Sequence, residues 1–282
     1  MKSPDITVLM CAYNEEEFIG FAIESILNQT FKDYEFIIIN DGSKDETENI
    51  ILKYSDPRLK YSKNKNNLGL TKSLNIGLIK AKSRYIARMD ANDISHPNRL
   101  NVQLNVFKRN PEIDLVWCDT NYITKDGSFI CKKASPDFKE VIRMLGECKD
   151  NFPVGRNHIN HVSVMYKKEA VQEVGGYDEK RLWGQDGNLW CRMLKKAYMF
   201  YMLNETLIDV RLLPTGISAK RKEPDSVELN EYYSNVCINN GNISNATKFA
   251  HNITSGFRRN RQFLKIFYNY LKQISNYSPL LT

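Results

Sequence analysis

Residues 6–40, ITVLMCAYNEEEFIGFAIESILNQTFKDYEFIIIN, give the clearest indication of the fold class. The stretch opens with a continuous apolar run, ITVLMC, which predicts a strand buried on both faces. The next segment places apolar residues at helical spacing: Phe18, Ile19, Ala22, Ile23, Ile26 and Leu27. A second buried strand, YEFIIIN, ends in the turn sequence NDGSKD. A strand, a helix and a strand in this order indicate an α/β unit with a largely parallel sheet.

The same alternation continues along the chain. The sequence predicts a helix over Thr47–Tyr54, a weak strand in LKYSKN, a loop and helix in NNLGLTKSLNIGLIKAK and a strand in RYIARM. Further on, IDLVWCDTNYIT predicts a strand, and HVSVMYKKEAVQEVGGYD a strand followed by a helix. After about residue 220 the composition becomes rich in Asn and then basic. We expect a domain over 1–220, with halves 1–110 and 111–220, and a helical tail over 221–282.

Composition sets broad limits. With 282 residues and 42% hydrophobic content, the chain can bury a substantial core. The net charge is +7, and no Asp or Glu follows Asn235, so much of the positive excess lies in the tail. A charge run is usually a solvated face, so nucleic-acid binding is not expected. The six cysteines form no CxxC pair, which predicts reduced thiols in a cytoplasmic protein.

Polar clusters follow three of the predicted strands. Tyr13 and Asn14 come after the first strand, Asp41 after the second, and Asp90–Asp93 after the fourth. Ligands of open α/β sheets bind at the carboxyl ends of the strands. We therefore expect these residues to meet at one edge of the sheet.

Several segments together resemble the family 2 inverting glycosyltransferases of the GT-A fold. They are VLMCAYNEEEFIGFAIESILNQTFKDYEFIIINDGSKDET, NLGLTKSLNIGL, RYIARMDANDISHPNRL, and GGYDE with WGQDGNLWCRML. Their order and spacing are most similar to the bacterial branch that builds capsular and O-antigen polysaccharides. The resemblance implies a Rossmann-like α/β fold with a mixed, mainly parallel central sheet.

The resemblance also implies a nucleotide-sugar donor, most simply a UDP-sugar. The nucleotide-binding residues carried over are Ala12, Tyr13, Asn14, Asp41, Lys72 and Asp90. In the family, the carboxylate at Asp41 accepts the imide N–H of uracil. The alternative is that Asp41 only shapes the NDGS turn, because Asp favours such turns. Lys72 is expected near the diphosphate, although an exposed lysine also fits.

The family's metal motif is altered here. By resemblance, Asp90 and Asn92 are the candidate ligands of a Mn²⁺ or Mg²⁺ ion, and the family's D-A-D-D form has a carboxylate where this chain has Asn92. Hard cations prefer carboxylates, so we expect weak metal binding, with Asp93 a possible substitute ligand. A family histidine near the end of the domain is also replaced, since leucines stand around Leu213.

The acceptor side is implied by the segment WGQDGNLWCRML. In the family the Asp of an acidic pair is the catalytic base, which here is Asp186, preceded by Gln185. The alternative for Asp186 is a helix N-cap. His161 matches a position on the acceptor side, although a lone histidine is more often structural.

The tail carries a broad apolar stripe among basic residues: Phe263, Leu264, Phe267, Tyr270, Leu271 and Ile274. A basic amphipathic helix can lie on an anionic membrane, which suits a lipid-linked acceptor and a location at the inner face of the cell membrane. Packing on the catalytic domain or on a second subunit fits the same pattern.

The resemblance therefore predicts a glycosyltransferase acting on a saccharide or lipid-linked acceptor in surface-polysaccharide assembly. The changes at Asn92 and Leu213 also fit a catalytically impaired, sugar-nucleotide-binding or scaffold subunit. A nucleotidyltransferase would need a glycine-rich phosphate loop after the first strand, and CAYNEEEF contains no glycine.

Overall fold

The computed structural model describes residues 3–133, 159–181 and 184–213. The described strands form one sheet: β1 (Ile6–Ala12), β2 (Tyr34–Asn40), β3 (Leu59–Lys63), β4 (Tyr85–Asp90), β5 (Ile94–Ser95), β6 (Ile113–Ile123), β7 (Phe129–Lys133), β8 (Met165–Lys167) and β9 (Met199–Arg211). The described helices are α1 (Ile19–Leu27), α2 (Thr47–Ile51), α3 (Leu70–Lys80), α4 (Arg99–Arg109), α5 (Lys168–Glu173) and α6 (Gln185–Lys195). The predicted tail helix lies outside the described residues.

The sheet is mixed, with the order β3-β2-β1-β4-β8-β6-β9-β5, and β7 pairs with β6. The four strands β3, β2, β1 and β4 run parallel. β8 is antiparallel to both of its neighbours, whereas β6 and β9 run parallel along most of their length. Most registered residue pairs are therefore parallel, and the predicted mixed, mainly parallel sheet is confirmed.

Helices cover both faces of the sheet. Every residue of β1 and β2 is buried, as their continuous apolar runs predict. One core contains the apolar residues of α1, α2 and α4, and the other contains those of α3, α5 and α6. This burial on both faces leaves the strand ends as the surfaces where polar groups can gather.

The structure differs from the predicted elements in four places. α2 ends at Ile51 rather than at Tyr54, and β5, β7 and β9 have no counterpart among the predicted strands. β9 is hard to recognise because Asn204 and Glu205 interrupt its apolar pattern, where its pairing with β6 also shifts register. β5 has only two residues, which is too short for a periodicity.

Two further observations concern cysteines and membranes. Cys191 in α6 is disulfide-bonded, so the expectation of reduced thiols is wrong for this residue. The spacing of cysteines along the sequence does not reveal this bond, because a disulfide depends on the distance between two cysteines in the folded chain. Cys11, Cys118 and Cys131 are free thiols.

None of the described helices combines the length and the hydropathy that a membrane span requires.

Candidate active site

The loops after β1 and β2 are joined by hydrogen bonds. The backbone N–H of Asp41 donates to the carbonyl of Ala12 (2.8 Å). The N–H of Asn14 donates to Ser43 Oγ (3.0 Å), and Asn14 Oδ1 accepts from the N–H of Lys44 (2.9 Å). Asn14 has a φ of 54°, a left-handed conformation that Asn tolerates. Ala12 and Asn14 therefore shape the loop that presents their neighbour Tyr13.

Tyr13 and Glu15 are the side chains that this loop offers at the edge. Tyr13 is 40% exposed, so its ring is accessible for stacking. The Glu15 N–H donates to Thr47 Oγ1 (2.8 Å), which holds the loop in place. Burial, with smaller contributions from Asp90 and Asp45, raises the pKa of Glu15 to about 7. Sequence reasoning missed Glu15, because three consecutive glutamates give no signal that one of them is half-buried.

Asp41 is a buried acceptor at the end of β2. Its Oδ1 accepts hydrogen bonds from Asn64 Nδ2 (2.8 Å) and the Leu68 N–H (2.9 Å), and its Oδ2 accepts from the Gly69 N–H (2.8 Å). The carboxylate thus stabilises loop 64–69 rather than its own NDGS turn. Gly42, the next residue, has a φ of 74°, and a Cβ there would lie 2.6 Å from the carbonyl carbon of Asn66. A glycine at position 42 therefore allows loop 64–69 to pack closely against the end of β2.

Loop 64–69 leads directly into α3, whose first turn carries Lys72. The Lys72 side chain is exposed and forms no hydrogen bond with the described residues. Its ammonium is therefore accessible to an anionic ligand at this edge.

Asp90 is held by a buried cation at the end of β4. Arg88 is fully buried, and its guanidinium forms a salt bridge with Oδ1 of Asp90. The Asp90 side chain is 36% exposed. A buried charge requires such a counter-charge. Sequence reasoning missed Arg88, although an arginine two residues before an aspartate on one strand face was an available signal.

The turn after β4 directs Asn92 and Asp93 differently. Asp93 is 3% exposed, and its Oδ1 accepts a hydrogen bond from the Arg211 N–H (2.8 Å). Burial and then the nearby Asp90 charge raise the pKa of Asp93 well above its usual range. Asn92 uses its backbone carbonyl to accept from Arg211 Nε (3.0 Å), and its side-chain amide has no hydrogen bond to a described residue. The Asn92 amide is thus available as a ligand, whereas Asp93 is engaged with β9.

The donor set for a metal ion is small. No group of three or more His, Cys, Asp or Glu side chains suited to a metal exists in the described part of the chain. Asp90 Oδ2 accepts no hydrogen bond from the described residues, and Asn92 adds a neutral amide oxygen. A divalent cation held by these two groups would be weakly bound and would need further oxygen ligands.

Asp186 lies in the first turn of α6. The N-cap of this helix is Gly184, in a left-handed conformation with φ 61°, so the N-cap alternative for Asp186 is wrong. A carboxylate in the first turn is favoured by the helix dipole. Asp186 is partly exposed.

Tyr177 connects this helix with the β4 side of the site. Its hydroxyl is 2.8 Å from His161 Nε2 and 3.3 Å from the hydroxyl of Tyr166. Burial raises the pKa of Tyr177 well above its usual range, with smaller contributions from Tyr166 and Asp186. Burial and then the Arg88 cation lower the pKa of His161 well below its usual range. Asp186 and Arg88 thus both act electrostatically on this buried phenol–imidazole pair.

Helix α3 fixes the turn before α6. Asn75 Nδ2 donates to the Tyr177 carbonyl (2.9 Å), and Asn75 Oδ1 accepts from the Tyr177 N–H (2.9 Å). Thr71 Oγ1 donates to the Arg181 carbonyl (3.0 Å). Gly176 has a φ of 69°, and a Cβ there would lie 2.9 Å from Asn75 Oδ1. The glycine is thus favoured by its backbone conformation and by close packing.

Residues 7–175 match the family model described as Glycosyl transferase family 2. The chain is 35% identical over 219 residues to an uncharacterized glycosyltransferase of Methanocaldococcus jannaschii, covering 75% of this chain and 72% of that protein. It is 30% identical to an uncharacterized glycosyltransferase of Rickettsia prowazekii, covering 74% of this chain but only 64% of that protein. The chain belongs to glycosyl transferase family 2.

Solved structures show the same fold at low sequence identity. S. aureus TarS 1-349 in complex with UDP-GlcNAc has a TM-score of 0.63 and 16% identity, covering 82% of this chain and 65% of that one. The mannosyltransferase PcManGT from Pyrobaculum calidifontis, in complex with GDP-Man and Mn²⁺, has a TM-score of 0.59 and 17% identity, covering 77% of this chain and 59% of that one. The α/β fold with a mixed central sheet is thus shared with these transferases.

Proposed function

We propose that the chain transfers a sugar from a UDP-sugar to a saccharide or lipid-linked acceptor, with inversion, in the assembly of a surface polysaccharide. One observation carries this proposal. The adjacent carboxyl ends of β1, β2 and β4 bring Tyr13, Asp41 and Asp90 to one edge of the sheet. Helix α3, which follows the loop held by Asp41, hydrogen-bonds to the Tyr177 backbone in the turn before the Asp186 helix. A donor and an acceptor need such neighbouring subsites.

The donor subsite is assigned to the ends of β1, β2 and β4. The Tyr13 ring stacks on the base, and Asp41 Oδ2, which accepts one hydrogen bond from the chain, accepts a second from the uracil imide. Lys72 lies near the diphosphate, and Asp90 near the ribose. The complexes of TarS with UDP-GlcNAc and of PcManGT with GDP-Man support a nucleoside-diphosphate sugar as the donor.

A divalent cation at this subsite would be held by Asp90 and Asn92. When bound, Mn²⁺ or Mg²⁺ offsets the negative charge that accumulates on the departing diphosphate. The Mn²⁺ in the PcManGT complex supports such an ion. The neutral amide of Asn92 and the pairing of Asp90 with Arg88 keep its affinity low.

Asp186 is assigned as the general base. Inversion is a direct displacement in which the acceptor oxygen attacks the anomeric carbon while the nucleoside diphosphate leaves. The acceptor hydroxyl passes its proton to the Asp186 carboxylate, a step worth about 10²–10⁴-fold in rate. Asp186 is suited to this because it is a partly exposed residue in the first turn of α6.

A donor panel tests the proposal. The full-length protein is incubated with UDP-, GDP- and CDP-sugars with and without Mn²⁺, and both binding and sugar release are measured. Binding and slow hydrolysis of one UDP-sugar is the expected result. Failure to bind any of these nucleotide sugars would overturn the proposed donor.

A second candidate is a catalytically impaired, sugar-nucleotide-binding or scaffold subunit. The observations that favour it are the neutral Asn92 and the absence of a histidine near Leu213. Donor binding without hydrolysis or transfer to any saccharide acceptor, at saturating Mn²⁺, would establish this alternative.

We further propose that residues 1–220 form the catalytic domain and that the basic tail brings it to an anionic membrane surface. Sedimentation with acidic vesicles, compared between the full chain and one lacking residues from about 256 onward, tests the tail. If the truncated chain still sediments with the vesicles, the tail is not the segment that contacts the membrane.

A further inference from the structure

A basic cleft lies at the end of the sheet opposite to the candidate active site. It has a volume of about 650 Å³ and is lined by residues just before β1 and at the start of β4. Its charged and hydroxyl-bearing side chains include Asp5, Lys82, Ser83, Arg84, Lys108 and Lys168. A strand of seven residues spans roughly 20 Å, so the cleft and the Asp90 edge are well separated.

The cations of the cleft are only partly neutralised. Lys108 Nζ lies 3.5 Å from Asp5 Oδ2, and Lys168 Nζ donates to the Ala81 carbonyl (2.9 Å). Lys82 and Arg84 are exposed and form no ion pair within the described part of the chain. Glu169 is the second carboxylate among the lining residues, so four cations face two carboxylates.

Ser83 supplies an independent observation. Its side chain is 1% exposed, and its hydroxyl has no hydrogen-bond partner among the described residues. Buried polar groups in native proteins nearly always have a partner, so each exception needs an explanation. Ser83 lies between Lys82 and Arg84 and lines the cleft, so a ligand oxygen there would provide the missing partner.

We propose that this cleft binds a phosphate-bearing ligand at a site separate from the donor subsite. Phosphate oxygens accept hydrogen bonds from Arg, Lys and Ser side chains together, which is the donor set of residues 82–84. The volume falls in the range of about 300–1,000 Å³ typical of small-molecule sites, so it admits more than a lone phosphate. A soluble phosphorylated compound and a phospholipid headgroup share this chemistry.

Calorimetry with inorganic pyrophosphate tests the soluble source. The full chain is titrated at low salt while UDP saturates the donor subsite. We expect binding to persist, and the K82Q/R84Q double variant to weaken it by at least about tenfold, since each basic residue is worth about fivefold. The control K53Q/K60Q removes the same charge from exposed lysines elsewhere and should leave the affinity unchanged.

Vesicles test the lipid source. Sedimentation with phosphatidylcholine vesicles that contain phosphatidylglycerol, but not with pure phosphatidylcholine, should fall in K82Q/R84Q and not in the control. A positive result in either experiment supports the site and identifies the source of the phosphate. If the double variant behaves like the control in both experiments, or if neither probe binds, the proposal is overturned.

The substitution Ser83→Ala separates a ligand contact from a structural role. Removing a buried hydroxyl that has no partner should leave the urea midpoint unchanged or raised. The proposal expects weaker binding of the effective probe in the same variant. Unchanged binding in Ser83→Ala would show that the Ser83 hydroxyl does not contact the ligand.

Discussion

The backbone N–H of Arg211, the last residue of β9, donates a 2.8 Å hydrogen bond to the buried carboxylate of Asp93. The Arg211 guanidinium donates to the Asn92 carbonyl and lies 4.8 Å from the ring centroid of Phe18. The last described strand thus shapes the turn that carries the candidate metal ligand. Asp93 is therefore already engaged with β9.

Replacing Arg211 should loosen this turn. Arg211→Gln removes the guanidinium bonds to Asn92 and to the carbonyls of Thr124 and Lys125. Hydrogen bonds to charged groups contribute about 1.5–3 kcal/mol, so we expect a loss of about 2 kcal/mol in the free energy of unfolding. Urea denaturation measures it. The control Arg109→Gln, at an exposed end of α4, should change stability by less than about 0.5 kcal/mol.

Asp41 should matter for both stability and base preference. Asp41→Asn places an amide against three N–H donors, which should cost about 1–3 kcal/mol in the free energy of unfolding. It should also reduce the preference for UDP over CDP and GDP measured by calorimetry. Asp33→Asn, at an exposed site before β2, is the control. Equal affinities for the three nucleotides in the wild-type protein would contradict the assignment of Asp41 to the base.

Asn92 should limit metal affinity. In Asn92→Asp a negative charge is added beside the cation, and a unit-charge pair 4 Å apart is worth about 1 kcal/mol even in water. The Mn²⁺ concentration needed for UDP binding should therefore fall at least about fivefold. Without metal, repulsion by Asp90 and Asp93 should slightly destabilise the variant.

The matched control for this experiment is Asn98→Asp, an exposed position that precedes α4. The same Mn²⁺ titration at fixed UDP is run on all three proteins. Metal dependence that is identical in wild type and Asn92→Asp would mean that Asn92 is not a ligand.

Asp186 should control turnover without controlling donor binding. Asp186→Asn cannot accept the acceptor proton, so the transfer rate should fall by about 10²–10⁴-fold. UDP-sugar affinity measured by calorimetry should stay within about twofold. A variant that keeps more than about a tenth of the wild-type rate would exclude the general-base role. Asp178→Asn, at a partly exposed position in the turn before α6, provides a control for loss of charge nearby.

The pair formed by His96 and Asp209 should make stability depend on pH. His96 Nε2 lies 2.8 Å from Asp209 Oδ1, and this hydrogen bond raises the pKa of His96. Because the pKa is higher in the folded state, the stabilisation is fully present below the unfolded value of about 6.5 and is lost as the pH rises through the folded value.

We expect the wild-type protein to lose on the order of 0.5–1 kcal/mol of unfolding free energy between pH 6 and pH 8.5 through this pair. His96→Gln should lack this loss, because glutamine does not titrate. Urea denaturation at both pH values measures the difference, with Asp209→Asn as the second arm of a double-mutant cycle. Equal pH dependence in wild type and His96→Gln would show that the pair contributes nothing.

Local sequence patterns determined the element types near the candidate site. The apolar runs of β1 and β2 predicted fully buried strands because burial on both faces leaves no alternation, and RYIARM predicted the strand β4. Turn residues after each strand indicated where polar groups would gather, and the family resemblance assigned them roles. The assignments of Asp41, Asn92 and Asp186 remain predictions that the experiments above address.

The hydrogen-bond partner of each polar group, in contrast, depends on how distant segments come together in the folded chain. Asp41 binds Gly69, Asn75 binds Tyr177, and Asp93 binds Arg211, which is 118 residues away in sequence. Strand periodicity and turn chemistry depend on near neighbours in the chain, so sequence can report them. Hydrogen bonds between distant segments depend on the strand order and on the register of β5 against β9, which arise only when the whole sheet packs.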